Sequence, residues 1–200
     1  MSHFNNVANS WDTNEKIEQN KKYAEAIKTQ CVRTNFKNIL EIGCGTGLLS
    51  KGFIDDETNF LGVDTSTGML EVFNKKFSNY PKVKSQLINL EKEEIPIDQI
   101  DLVISSMAFH HLENPFQLLK KLKSHLASNA ILTFIDLDQE DGSFHPDPKN
   151  MGVHHFGFSE QEIKSWAQEL GFKVYKRSTL NIVHKNDKEY PICLNIFMNS

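Results

Sequence analysis

The chain has 200 residues, a net charge of −4 and 39% hydrophobic residues, which fits one globular domain with a substantial core. The negative charge gives no overall attraction to nucleic acid or to an anionic membrane, and no apolar run approaches the ~20 residues of a membrane-spanning helix. The three cysteines lie far apart without metal-ligand spacing, and no export signal is visible, so we expect a cytoplasmic protein.

Strands and helices are predicted to alternate after a leading helix at 14–32. Short, nearly continuous apolar runs predict parallel strands at 38–42, 59–63, 83–90, 100–106 and 130–136. Helical spacing and capping residues predict helices at 46–54, 67–78 and 115–127. This alternation predicts an α/β fold with a doubly wound, mostly parallel sheet.

The chain changes character after residue 136. The segment 137–158 is polar and rich in proline and glycine, and a loop of this length in a compact domain is usually functional or disordered. A capping box at 159–162 then begins a helix that ends at Gly171. Two strands at 172–183 and 191–198, joined by a polar turn, predict a C-terminal antiparallel hairpin that brings the sheet to seven strands.

We therefore predict a single domain over 1–200. Its N-terminal helical part is expected at 1–35 and its core at 36–200, with loop 137–158 on the substrate side. Apolar and aromatic residues in the N-terminal part, among them Phe4, Trp11 and Tyr23, either form a lid over a ligand or cover one edge of the sheet.

The segment after the first predicted strand predicts a cofactor site. The strand ends in Gly43, Gly45 and Gly47, and glycines let the backbone turn tightly and let a ligand approach closely. The second strand ends in Asp64, which is placed to accept hydrogen bonds from two ribose hydroxyls. Together they predict a nucleoside-containing cofactor across the ends of two parallel strands.

Two classes of cofactor compete for this pattern. A nicotinamide or flavin dinucleotide fold needs G-x-G-x-x-G, whereas Leu48 stands here at the position of the last glycine. Glu41, two residues before the first glycine, would repel a pyrophosphate but could order an ammonium group. The pattern therefore favours a positively charged cofactor without phosphate.

Residues 39–50 resemble the first motif of the class I S-adenosylmethionine-dependent methyltransferases, E-x-G-x-G-x-G after a strand. The later segments 62–70, 100–115 and 157–172 resemble, in order, the family's second motif, its fourth strand with the following loop, and its late helix. The resemblance covers roughly residues 36–198. It implies a Rossmann-like methyltransferase fold, S-adenosylmethionine as the cofactor and in-line transfer of its methyl group.

The resemblance also implies which residues contact the cofactor. Asp64 would bind the ribose, and the glycine loop would pass under the methionine part with Glu41 supporting it. Asn89 would lie near the adenine, with Glu91 as the rival alignment. The implied cofactor-binding residues are Glu41, Gly43, Gly45, Gly47, Asp64, Thr65, Met69, Asn89, Leu90, Ser106 and Met107. For Thr65 a role as a helix cap, and for Met69 a place in the helix core, are the alternatives.

No catalytic residue is predicted from the pattern, because methyl transfer depends chiefly on holding the acceptor ~3 Å from the methyl carbon in a dry site. If the acceptor must lose a proton, histidine titrates in the right range. The candidates are His110, His111, His154 and His155, with His145 nearby in the loop. A metal site from His145, His154, His155 and Asp138 fits no established zinc spacing, so no metal is predicted.

The small size and the lack of a basic face favour a small-molecule acceptor, without nucleic acid or membrane as a partner. The alternatives are a tRNA or protein methyltransferase, a nicotinamide-dependent oxidoreductase and a cofactor-binding module without catalysis. The sequence predicts neither the atom that is methylated nor the oligomeric state.

Overall fold

The computed structural model describes residues 2–31, 33 and 35–199, without the side chains of Ser2, His3 and Val174. Seven strands form one sheet in the order β3-β2-β1-β4-β5-β7-β6. The strands are Asn38–Ile42 (β1), Asn59–Asp64 (β2), Val83–Leu87 (β3), Ile100–Ser105 (β4), Leu126–Leu137 (β5), Val174–Lys185 (β6) and Lys188–Met198 (β7). The first five are parallel, and β7 lies antiparallel between β5 and β6. The predicted fold class, including its closing hairpin, is confirmed.

Helices cover both faces of this sheet. They are Ser2–Val7 (α1), Asn14–Gln30 (α2), Thr67–Lys76 (α3), Pro115–Lys123 (α4) and Glu160–Glu169 (α5). Neighbouring β1 residues face opposite ways, so that Ile39 packs in one core with α2 and α3, and Leu40 packs in the other with α4 and α5. Such two-sided burial explains why the central strands are apolar throughout.

Side-chain caps determine where these helices begin. Thr13 accepts a hydrogen bond from the Lys16 amide at the start of α2, and Asn114 accepts one from Gln117 before Pro115 begins α4. At α3 the cap is Ser66, whose hydroxyl accepts from the Met69 amide. The alternative of Thr65 as the cap is therefore wrong.

The helix predicted at 46–54 is wrong. Only a 3-10 turn at Ser50–Gly52 is present there. Gly45 and Gly47 have φ angles of +53° and +81°, outside the helical region, so the segment cannot start as a helix. A second error concerns 115–127, because α4 already ends at Lys123 and β5 begins at Leu126.

The C-terminal hairpin turns at Asn186 and Asp187, which have φ angles of +53° and +56°. Two consecutive left-handed residues are typical of the tight turns that match the twist of antiparallel strands. The strand β7 is consequently longer than predicted and includes residues assigned from the sequence to the turn, whereas β6 is shifted by two residues and keeps its predicted length of 12.

Among the described residues, none of the helices combines the length and apolar character that crossing a membrane requires.

Candidate cofactor and acceptor site

A cavity of about 420 Å³ lies at the carboxyl ends of β1, β2 and β4. This is the point where the strand order reverses, since β1 lies between β2 and β4, and α/β sheets commonly bind their ligands at such a point. All of the predicted cofactor residues except Gly47 line the cavity: Glu41, Gly43, Gly45, Asp64, Thr65, Met69, Asn89, Leu90, Ser106 and Met107.

The three glycines serve different purposes. A Cβ atom at Gly43 would lie 2.5 Å from Cβ of Ala108, so glycine here lets the loop after β4 pack closely against β1. At Gly47 a Cβ atom would lie 2.4 Å from the Phe77 ring, so this glycine allows α3 to pack. At Gly45, by contrast, a Cβ atom would meet nothing within 4 Å, and the bare backbone faces open space. Of the three, Gly45 has the environment expected of a ligand contact.

Asp64 points toward the glycine loop, as the cofactor prediction requires. Its Oδ2 accepts a hydrogen bond from the Gly45 amide at 2.8 Å, and its Oδ1 accepts one from the Ser66 amide at 2.8 Å. Burial raises the pKa of Asp64, and these backbone hydrogen bonds act in the opposite direction. Each carboxylate oxygen has a further acceptor site that a ribose hydroxyl could use.

Glu41 is a buried acid beneath the same loop. Glu41 is only 2% exposed, and its carboxyl group accepts a hydrogen bond from the Ser50 hydroxyl. Burial raises the pKa of Glu41 to about 8, although the Ser50 hydrogen bond lowers it. Near neutral pH the carboxyl group therefore carries a proton, and a cation bound close by would favour its ionisation.

The adenine-side candidates have distinguishable roles. The Glu91 carboxylate accepts hydrogen bonds from the amides of Glu113 at 3.0 Å and Asn114 at 2.6 Å, and so holds the chain that leads into α4. The Asn89 side chain lies at the cavity and accepts one hydrogen bond, from the Glu91 amide at 3.0 Å. This arrangement favours Asn89 over Glu91 as the residue with donor groups to offer a base.

The N-terminal segment lines the cavity and is held against α3 and the glycine loop. Asn5 accepts hydrogen bonds from the Ser66 hydroxyl at 2.6 Å and from the Gly68 amide at 3.0 Å. Asp12 forms an ion pair with Lys76 of α3 at 2.8 Å and accepts from the Thr46 hydroxyl in the glycine loop. Phe4 and Trp11, next in the chain to these two anchors, line the cavity, with their ring centroids 5.9 Å apart.

Two of the four candidate catalytic histidines line the cavity, namely His111 and His154. The other two, His110 and His155, do not line the cavity. His110 is 1% exposed, and the centroid of the His155 ring lies 5.4 Å from that of Phe158. The amides of His154 and His155 both donate to the His110 carbonyl, which fixes loop 137–158 against the loop after β4.

The structure also gathers three histidines that the sequence did not group. Single nitrogen atoms of His110, His111 and His145 all lie within 4.8 Å of one another. The pKa values of His111 and of His145 are both lowered to about 4. The larger cause is burial, and the second is electrostatic repulsion from the neighbouring His110. No spacing rule could have found this set, because 33 positions separate His111 from His145 and the loop fold alone brings them together.

Comparisons with known proteins agree with this geometry. Residues 40–132 match the family described as "Methyltransferase domain". An uncharacterized methyltransferase of Schizosaccharomyces pombe is 34% identical over 141 residues, covering 63% of this chain and 50% of the relative. A malonyl-[acyl-carrier protein] O-methyltransferase of Priestia megaterium is 36% identical over 140 residues, covering 66% of this chain and 48% of the relative. The chain thus spans about half the length of the curated relatives it matches.

Among solved structures, a chain in the complex between the Haloferax volcanii Trm112 methyltransferase activator and a methyltransferase shares the fold, with a TM-score of 0.78. It is 14% identical, and the match covers 98% of this chain and 96% of that chain. These matches confirm the resemblance of this chain to the class I S-adenosylmethionine-dependent methyltransferases. The prediction of S-adenosylmethionine as the cofactor is confirmed with it.

Proposed function

We propose that the chain transfers a methyl group from S-adenosylmethionine to a small-molecule acceptor. The observation that carries the proposal is the contact between the Asp64 carboxylate and the Gly45 amide, in a cavity that Phe4 and Trp11 of the N-terminal segment help to line. An acid able to accept hydrogen bonds from a sugar, beside a bare stretch of backbone, is what a nucleoside with an amino-acid tail would need.

In this proposal the cavity holds the cofactor along the ends of β1, β2 and β4. Asp64 binds the ribose hydroxyls, Asn89 faces the adenine, and the Gly43–Gly45 backbone lies against the methionine part. Glu41 supports the loop from below and responds to the positive charge of the sulfonium. Ser106 and Met107, which follow β4, flank the methyl group.

The methyl carbon of a sulfonium is already electrophilic, so the chain's task is to align the acceptor and exclude water. Phe4 and Trp11 provide apolar cover on one side of the cavity. His154 is exposed and lines the cavity, so it is placed to accept a proton from an acceptor that must lose one.

The acceptor class is argued from the shape and charge of the lining. The cavity contains acidic side chains as well as Lys16 and Lys92, and among the described residues no basic cluster of the kind that holds a phosphate backbone surrounds it. Acceptors carried on a protein are the nearest alternative, because one relative acts on a malonyl group carried by acyl-carrier protein.

Calorimetric titration with S-adenosylmethionine and with nicotinamide dinucleotides tests the cofactor. We expect binding of the first alone. An Asp64→Ala variant should lose about 100-fold in affinity, since two charge-assisted hydrogen bonds are removed, whereas Asp56→Ala, a change at an exposed acid, should bind normally. Equal affinities in the two variants would contradict the proposal.

Turnover tests the enzymatic part. Formation of S-adenosylhomocysteine over a panel of small hydroxyl, amine, thiol and acidic-carbon compounds is the expected result. Turnover only with tRNA, protein or an acyl-carrier-bound substrate would reject the small-molecule acceptor, and cofactor binding without any turnover would favour a passive binding module.

A further inference from the structure

The cluster of His110, His111 and His145 lies where two chain segments meet behind the cavity wall. His110 and His111 form a 3-10 turn with Phe109 after β4, and His145 comes from loop 137–158. Their ring centroids are 4.1 Å apart for His110 and His111, 4.9 Å for His110 and His145, and 6.1 Å for His111 and His145. Three imidazoles from two segments therefore converge on one point.

His110 is already oriented as a metal ligand would be. Its Nδ1 lies 2.7 Å from Oδ1 of Asp136, and its backbone amide donates to Oδ2 of the same carboxylate at 3.2 Å. Its other ring nitrogen, Nε2, is buried and has no hydrogen-bond partner among the described residues. A carboxylate on one imidazole nitrogen fixes the tautomer that leaves the other nitrogen a free lone pair, as is usual for metal-bound histidines.

His111 repeats this arrangement with a backbone partner. Its Nδ1 lies 2.9 Å from the Gly152 carbonyl oxygen, which can only accept, so Nδ1 carries the hydrogen and Nε2 is left as an acceptor. Two adjacent imidazoles that both present an unprotonated nitrogen have no hydrogen to share between them. The Nε2 atom of His110 is thus a buried acceptor without a donor, which costs free energy. A bound ion at the centre of the cluster would satisfy it.

We propose that His110, His111 and His145 bind one divalent transition-metal ion of the zinc type. Three neutral imidazoles suit zinc, cobalt, nickel or copper and do not suit magnesium or calcium, which prefer oxygen ligands. Asp136, which is 1% exposed and bonded to His110, would supply a negative charge that partly neutralises the charge of the ion. Since His111 also lines the cavity, a fourth position on that side would be open to water or to an acceptor.

Such an ion would connect the acceptor-side loop to the sheet. The loop is held at present by backbone hydrogen bonds from His154 and His155 to the His110 carbonyl. Coordination of His145 would add a bond between the middle of the loop and the end of β4. The ion would therefore order the wall that faces the acceptor, whether or not it takes part in the chemistry.

The proposal is tested on the full chain after removal of metal with a chelator. Titration with zinc should show one equivalent bound, titration with cobalt should produce the visible absorption of a four-coordinate site, and magnesium should produce neither. His110→Gln and His145→Gln should each lower zinc affinity by about 100-fold or more, and Asp136→Asn by about 10- to 100-fold. His184→Gln, at an exposed hairpin histidine, is the matched control and should bind zinc normally.

Absence of a single zinc equivalent in the wild-type chain would overturn the proposal, as would equal loss in the His184→Gln control or full retention in His145→Gln. Circular dichroism checks that each variant folds, and if His110→Gln does not, His111→Gln on the cavity wall replaces it. The affinity for S-adenosylmethionine is measured on the same samples. A wild-type chain that binds S-adenosylmethionine but not zinc rejects the metal site. A wild-type chain that binds zinc but not S-adenosylmethionine rejects the proposed function.

Discussion

The two ends of the cavity are built in different ways. At the cofactor end, the glycine loop and Asp64 are parts of neighbouring strand ends, and backbone amides make the essential contacts, such as that from Gly45 to Asp64. At the acceptor end, side chains far apart in the chain, such as His111 and His145, are brought together by a long loop. The first construction is readable from a short motif, and the second depends on how the loop folds.

The largest expected effect tests how rigid the cofactor end is. Gly47→Ala should lower the free energy of unfolding by about 3 kcal/mol or more, because a φ of +81° is combined with a Cβ atom 2.4 Å from the Phe77 ring. Gly152→Ala is the matched change at the acceptor end, where φ is +69° but nothing lies within 4 Å, and it should cost only about 1 kcal/mol. Urea unfolding measures both, and similar losses would remove the distinction.

The pH dependence of cofactor binding tests Glu41. Because burial raises the pKa of Glu41 to about 8 and a cation favours ionisation, affinity for S-adenosylmethionine should rise from pH 6 to pH 8, by up to about tenfold per pH unit. Calorimetry across this range measures the effect, and Glu41→Gln should give a flatter profile. An unchanged slope in that variant would show that another group is responsible.

The same group affects stability with a defined sign. Between the ordinary pKa of 4.5 and about 8, the folded chain binds a proton at Glu41 that the unfolded chain releases. This contribution to the free energy of unfolding is complete below pH 4.5 and is lost as the pH rises toward 8. Glu41→Gln should remove it, which urea unfolding at several pH values would detect.

A smaller effect is expected at the cover over the cofactor end. Trp11→Ala should weaken S-adenosylmethionine binding by about tenfold, because the ring lines the cavity and shields it from water. Phe156→Ala, at an exposed aromatic residue of the acceptor-side loop, is the control and should leave this affinity unchanged. If a chain lacking residues 1–12 bound the cofactor normally, the segment would merely cover the sheet edge and the lid hypothesis would fail.

The smallest effect separates the two ends by substrate. His154 is exposed and lines the cavity, so His154→Ala should raise the KM of the acceptor by a few-fold and leave cofactor affinity unchanged. Steady-state kinetics with an acceptor identified in the panel, together with calorimetry, measure the two quantities. A larger loss in cofactor affinity than in acceptor KM would move His154 to the cofactor end.

The sequence-based prediction also made errors at the cofactor end, although that end is built from a short motif. The strand–helix alternation, the seven strands and the family were correct, because burial on both faces of a parallel sheet leaves a continuous apolar pattern. The prediction of a helix at 46–54 was wrong because the apolar residues of this segment reach the core from a glycine-rich loop with a short 3-10 turn. Of the glycines grouped as one motif, only Gly45 has open space beside it, and no local signal separates it from Gly47.

Local patterns were sufficient for the sheet, for the family and for the Asp64–Gly45 corner, since these depend on neighbouring strand ends and on residues whose backbone angles are special. Tertiary structure alone grouped His110, His111 and His145, placed Asp136 behind them and laid Phe4 and Trp11 over the cavity. The physical reason is the distance along the chain: a contact between two remote segments depends on how both segments fold, and it leaves no local pattern in the sequence.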